Sequence, residues 1–173
     1  MVLSVHTLVG GALGAVLPVS PVASFAIGFV SHFILDAIPH SDYPLQSLTK
    51  NADDRDKDVM SKDGRLANDL VVNGVDGILG FLILTTLTYN SPALFSAILG
   101  GLGACVPDGL QFLHFMFPNN KPLEAFKKFH GIFHTPLKVE EFMEKHVVLA
   151  VLVQGTIACL ALLSIIKVIP IPF

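Results

Sequence analysis

Cysteine is nearly absent from this 173-residue chain and charge is scarce, with two cysteines and only 14% Asp, Glu, Lys and Arg together. The two thiols, Cys105 and Cys159, both fall inside apolar runs. They provide neither a disulfide framework nor a thiolate metal site, and read as small buried hydrophobes. Eleven basic residues stand against fourteen acidic ones, for a net charge of −3 and a pI near 6.1. That balance argues against a nucleic-acid-binding surface as the main function. No Lys or Arg precedes the first apolar run, and His6 lies inside it, so the segment does not read as a cleaved secretory signal.

What the chain has in abundance is apolar sequence: 52% hydrophobic residues and a mean hydropathy of +0.65. This is the composition of a membrane protein. Apolar stretches cover 3–19, 22–38, 70–89, 93–117 and 147–169, most of them long enough to cross a ~30 Å hydrocarbon core. They predict an all-α, polytopic membrane bundle of about five short helices, forming a single integral domain over 1–173. The first stretch, interrupted by Pro18 and Pro21, is expected to be short and tilted or re-entrant. Recurrent small residues, as in Gly10, Gly11 and Gly14, in Gly74, Gly77 and Gly80, and in Gly100, Gly101 and Gly103, predict close helix packing.

Two polar loops separate the stretches. Residues 51–66 alternate in charge sign and read as a solvated loop. Asp54, Asp56 and Asp58 copy the start of a calcium loop, but Val59 stands where its turn glycine belongs and Arg65 where its closing Glu belongs. The second loop, 118–145, is expected to carry an amphipathic interfacial helix over 123–133. Phe126, Phe129, Ile132 and Phe133 lie on one side of that helix, and Lys127 and Lys128 on another, where they would attract anionic headgroups. Lys50, Arg55, Lys57, Lys62 and Arg65 occupy the first loop and Lys121, Lys127, Lys128, Lys138 and Lys145 the second, leaving only Lys167 elsewhere. The positive-inside rule therefore predicts that both long loops are cytoplasmic.

The chemistry concentrates at the end of the second apolar stretch, in His32-Phe-Ile-Leu-Asp36-Ala-Ile-Pro-His40-Ser-Asp42. An ionisable side chain in hydrocarbon costs several kcal/mol unless partnered, so such residues mark function by default. The predicted topology brings His6, Asp69, Asp76, Asp108, His114, His130, His134 and His146 toward the same leaflet. His32 and Asp36 are four residues apart and share a helix face, as do His130 and His134. Pro39 is expected to end the second helix, and Pro107 to open the fourth beside Asp108. Imidazoles and carboxylates without thiolates favour zinc, or manganese, as one or two divalent ions. The candidate ligands are His6, His32, Asp36, His40, Asp108, His130 and His134, with Asp42 and Asp76 as general base or supporting carboxylates. Asp69 and His146 also suit helix ends, and Glu140, Glu141 and Glu144 a solvated face.

Taken together, His6-Thr-Leu-Val-Gly-Gly-Ala-Leu-Gly, His32-x3-Asp36-x2-Pro39-His40, Gly103-x3-Pro107-Asp108 and His130-x3-His134 resemble the prokaryotic membrane-bound metal-dependent hydrolases. The family's Pro-Asp-x-Asp-His is replaced here by Pro107-Asp108-Gly109-Leu110-Gln111, and Phe129–His134 lacks the Arg of its His-Arg-Gly-x-Thr-His. His32-x3-Asp36 is also similar to the His-x3-Asp element of zinc-dependent phospholipase C. Both resemblances imply hydrolysis of an ester, in particular a phosphoester, by metal-activated water, on a lipidic substrate in a prokaryotic-type cytoplasmic membrane. The competing expectations are a small metal-ion or proton transporter and a non-catalytic protein held together by metal. Transport is disfavoured because the outer halves of the predicted spans carry almost no ionisable groups.

Overall fold

The computed structural model describes residues 1–17, 19–49, 51, 58–134 and 136–169. Pro18, Lys50, Asp54, Arg55, Asp56 and Lys57 lie outside them, so the copied calcium loop is represented only by Asp58, which accepts a hydrogen bond from the Asn51 amide. In chain order the elements are α1 (Leu3–Val16), α2 (Pro21–Asp36), β1 (Leu48–Thr49), β2 (Val59–Met60), α3 (Gly64–Thr88), α4 (Leu94–Met116), α5 (Lys121–Phe133), α6 (Leu137–Lys145) and α7 (Val147–Val168). The expected all-α bundle is present. Its five apolar helices match the five apolar stretches, α5 matches the helix expected in the second loop, and α6 is additional. The two strands form only a two-residue antiparallel hairpin in the first loop.

α3, α4 and α7, of 25, 23 and 22 residues, are long and apolar enough to cross a membrane, which marks the chain as a membrane protein. α1 and α2 have 14 and 16 residues, and so rise only about 21 and 24 Å against a ~30 Å hydrocarbon core. α2 starts one residue before its apolar stretch and ends two residues short of it, both for local reasons. Ser20 caps its start, accepting from the Ala23 amide at 3.3 Å, with Pro21 in the first turn. At its end, Pro39 disfavours helical backbone at the residue before it. α3 begins six residues before its apolar stretch because Asp63 caps it, accepting from the Arg65 amide at 3.0 Å. Asn120 starts α5 in the same way.

Pro107 does not open the fourth helix as expected; α4 runs through it from Leu94 to Met116. A proline inside a helix supplies no N–H to the turn before it. In that turn the carbonyl of Ala104 faces His32, whose Nδ1 lies 2.8 Å away.

Glycine sets the distance between helices where α1, α2 and α4 meet. A Cβ on Gly28 of α2 would run into the carbonyl of Gly100 on α4, and one on Gly10 of α1 would lie 2.5 Å from the same oxygen. Only hydrogen at these positions allows three backbones to meet at one place. Beside this seam, Leu8, Ala12 and Ala15 of α1 pack with Leu84, Ala97, Ala161 and Ile165. The outward faces of α3 and α7, including Val71, Ile78, Leu82, Val148, Leu152 and Leu163, are exposed, as a lipid-facing surface requires.

α5 was expected at the membrane interface. Part of its aromatic side packs on α2, where the rings of Phe129 and Phe133 lie 5.4 and 5.3 Å from that of Phe33, while Phe129, Ile132 and Phe133 keep exposed surface. Lys127 is buried, with its ammonium 5.4 Å from the Phe115 ring centroid, and does not face headgroups. Lys128 is exposed and paired with Glu124 at 2.7 Å.

Candidate metal centre

The end of α2 delivers Asp36 to the centre of a ring of imidazoles. His6 comes from the first turn of α1, His32 from one turn earlier on α2, His130 from the last turn of α5 and His134 from just beyond it, while His40 follows Pro39. His6, His32, Asp36, His40 and His130 are all buried. Asp36 Oδ2 lies 3.0 Å from His32 Nε2, 3.0 Å from His130 Nε2 and 3.8 Å from His134 Nε2. Its Oδ1 lies 3.1 Å from His6 Nε2 and 3.9 Å from His40 Nε2. His32 Nε2 is 2.9 Å from His130 Nε2 and 3.6 Å from Asp108 Oδ1. Asp42, about one-third exposed, lies 3.4 Å from His40 Nε2.

The other ring nitrogens of three histidines are already committed. His32 Nδ1 faces the Ala104 carbonyl at 2.8 Å, His40 Nδ1 the Ile38 carbonyl at 2.7 Å, and His130 Nδ1 the Gln111 side-chain oxygen. A carbonyl oxygen only accepts, so each Nδ1 carries the proton and donates it. In the neutral ring, Nε2 then presents a lone pair to the centre of the cluster. Lone pairs from His32 and His130 thus converge with a carboxylate oxygen, a donor set that could hold a metal ion. Neither ring nitrogen of buried His6 makes a hydrogen bond, although Nε2 sits 3.1 Å from Asp36.

These donors suit a transition-metal ion. Four ligands held 2.0–2.1 Å from a tetrahedral zinc are about 3.3 Å apart, and the separations among His32, Asp36, Asp108 and His130 run from 2.9 to 3.6 Å where measured above. Those four residues form one group whose donor atoms lie within 4.8 Å of one another, and Asp36, His40 and His134 form a second. Asp36 belongs to both. The Met1 amino group also reaches this end of the bundle, 3.3 Å from Asp36 and 2.5 Å from Asp42. Its burial opposes its charge, but Asp42 and Asp36 outweigh that and push the amine up to about 10. Burial likewise disfavours the Asp42 carboxylate, yet the amine and His40 hold it well below its ordinary range.

Beside the cluster lies a cavity of about 370 Å³, within the size range of small-molecule sites. Asp42, Asp108, Gln111 and His134 border it on the cluster side.

The structure thus brings together His6, His32, Asp36, His40, Asp42, Asp108, His130 and His134. Asp76 stands apart: it accepts from the Ser4 amide at 2.7 Å and the Tyr43 hydroxyl at 3.3 Å. α1 has no side-chain cap of its own, so Asp76 satisfies one of its free first-turn donors from the neighbouring helix. Asp69 holds the loop before β1, accepting from the Gln46 amide and from the amide and hydroxyl of Ser47. His114 belongs to neither group, and His146 stacks on Phe142 at the start of α7. Two supporting residues had not been singled out. Gln111, three residues after Asp108 and so on the same face of α4, positions His130. Gln154, a lone amide in apolar α7, accepts from the Val2 amide and donates to the Ser41 carbonyl, both at 2.9 Å.

Comparison of the chain with protein-family models, curated proteins and solved structures gives no match.

Proposed function

We propose that this chain is a membrane-embedded, metal-dependent hydrolase that cleaves a phosphoester or lipid-like ester at the cytoplasmic leaflet of a prokaryotic-type membrane. The observation that supports hydrolysis is the position of the cluster against the cavity. Asp108 from one ligand group and His134 from the other both line that cavity. A structural metal site is closed by its ligands, whereas a catalytic one keeps a position open.

His32, Asp36 and His130 would hold one ion and Asp36, His40 and His134 a second, with Asp108 and His6 alongside; three protein ligands each would leave a position for water. Zinc suits this donor set best and manganese next. When bound, such an ion supplies Lewis acidity and activates water at neutral pH. Asp42, which lines the cavity beside His40, would accept a proton from the attacking water once released from its pairing with the Met1 amine, and return it to the departing alcohol. In the net reaction the water oxygen bonds to phosphorus, the P–O ester bond breaks, and the alcohol leaves with a proton. Gln111 and the Ala104 carbonyl keep His130 and His32 turned inward. The cytoplasmic orientation is supported by ten of the eleven basic residues falling in the two long loops.

The test is turnover of phospholipids and lipid carboxyl esters by zinc-loaded protein in nanodiscs. Asp42→Asn is expected to keep its metal and lose about 10²–10⁴-fold in kcat. Metal-replete protein with no turnover on either ester class contradicts the proposal and favours the structural-metal alternative.

A further inference from the structure

The cavity beside the metal centre has a second, apolar half. α3 and α4 meet where Phe81 and Leu84 pack on Gly101, at 3.0 and 3.3 Å from its Cβ position. Nearer the cluster they separate. Gly74 on α3 and Gly109 on α4 both border the cavity, and a Cβ added at either would have no neighbour within 4 Å. Leu66 and Leu70 of α3, Phe112 and Phe115 of α4, and Leu45 and Met60 of the first loop line this part. Leu70, which lines the cavity, is itself exposed, so this wall reaches the surface of the bundle. It is a slot with carboxylates and imidazole at the cluster end and a mostly apolar wall beyond, interrupted by Asn73 and by Asp69, whose carboxylate is taken up by Gln46 and Ser47.

We infer that this slot takes the alkyl chain of the substrate, which is a lipid phosphoester entering sideways between α3 and α4 with its headgroup at Asp108 and His134. The inference rests on the hydrolase reading and adds the substrate class and the route to the site. A soluble phosphoester needs no apolar wall leading away from the cluster. A bilayer lipid needs one, together with an opening at the depth of the acyl chains, and Gly74 and Gly109 keep that opening free of side chains.

The experiment uses a dodecylphosphonate carrying a diazirine at its tail, photolysed with the zinc-loaded protein in nanodiscs, followed by peptide mapping. The phosphonate resists hydrolysis, so labelling is read independently of turnover. The expected label falls on the peptides containing Leu66–Leu70 and Phe112–Phe115. Gly109→Leu and Gly74→Leu place side chains into open space, and metal content and thermal midpoint verify that each variant folds. A methylene is worth about fourfold in affinity, so excluding two or more lowers slot labelling by more than about tenfold. Labelling that is equal in wild type and both variants, or that spreads over the outer face of α7, overturns the inference. Slot labelling without lipid turnover removes the hydrolase reading and leaves the chain-binding slot. Lipid turnover without slot labelling does the reverse.

Discussion

The Nε2 atoms of His32 and His130, 98 residues apart in the chain, lie 2.9 Å from each other, and each lies 3.0 Å from the same oxygen of Asp36. Because the Nδ1 of each ring faces a carbonyl-type oxygen, the two nitrogens turn lone pairs toward one another unless a cation stands between them. This relationship ties α2 to α5 through a cluster that could hold a metal ion.

The residue that turns His130 inward should tune the site without touching the ion. Gln111→Leu is expected to weaken zinc affinity by about 10–100-fold, as loss of an imidazole-orienting partner does elsewhere. Gln111→Glu, which still accepts from Nδ1, should retain most of it. Titration with a competing chromophoric chelator measures both variants, and equal affinity in all three proteins would show that Gln111 has no positioning role.

Removing the metal should loosen one element more than the rest. α5 is held by its aromatic packing on Phe33 and by His130, whereas α1, α2 and α4 are locked by their glycine contacts. Chelation is therefore expected to lower the thermal midpoint and raise amide hydrogen exchange first in 121–134, with zinc restoring both. At a free ion concentration of 100 times Kd the stabilisation is about 2.7 kcal/mol. Uniform exchange across all helices would contradict this ordering.

The seam at Gly100 predicts a sharp contrast between glycines. Gly28→Ala places a methyl group into the Gly100 carbonyl, so the helices must part, at a cost of about 1–3 kcal/mol. Gly155→Ala on α7 meets nothing within 4 Å and should be neutral or stabilising, since alanine is the better helix former by about 1 kcal/mol. Thermal denaturation in detergent compares the two. Gly28→Ala should also release metal, because His32 rides on the same helix.

The apolar stretches and the His–Asp constellation were legible because both follow from short-range pattern: long hydrophobic runs, and ionisable groups placed inside them at helical spacing. Other features depended on partners distant in the chain. Asp76 looked like a site residue because nothing local shows that it caps α1, and Lys127 looked headgroup-facing until α5 was seated against Phe115. Pro107 suggested a helix start by local preference, yet packing carries α4 through it. The end of the second helix was legible, because Pro39 was expected to stop it and α2 ends at Asp36 although hydropathy continues to Ile38. Gln111 carried a usable signal in its three-residue spacing from Asp108, but an amide beside a carboxylate does not announce which histidine it will meet.

The most direct measurement is metal content by mass spectrometry on detergent-purified protein, wild type against the His32→Ala, Asp36→Ala double variant. The account predicts zinc or manganese at one to two equivalents in the wild type and its loss in a variant that still purifies as a helical protein. No stoichiometric metal in the wild type, or equal metal in both, would contradict it.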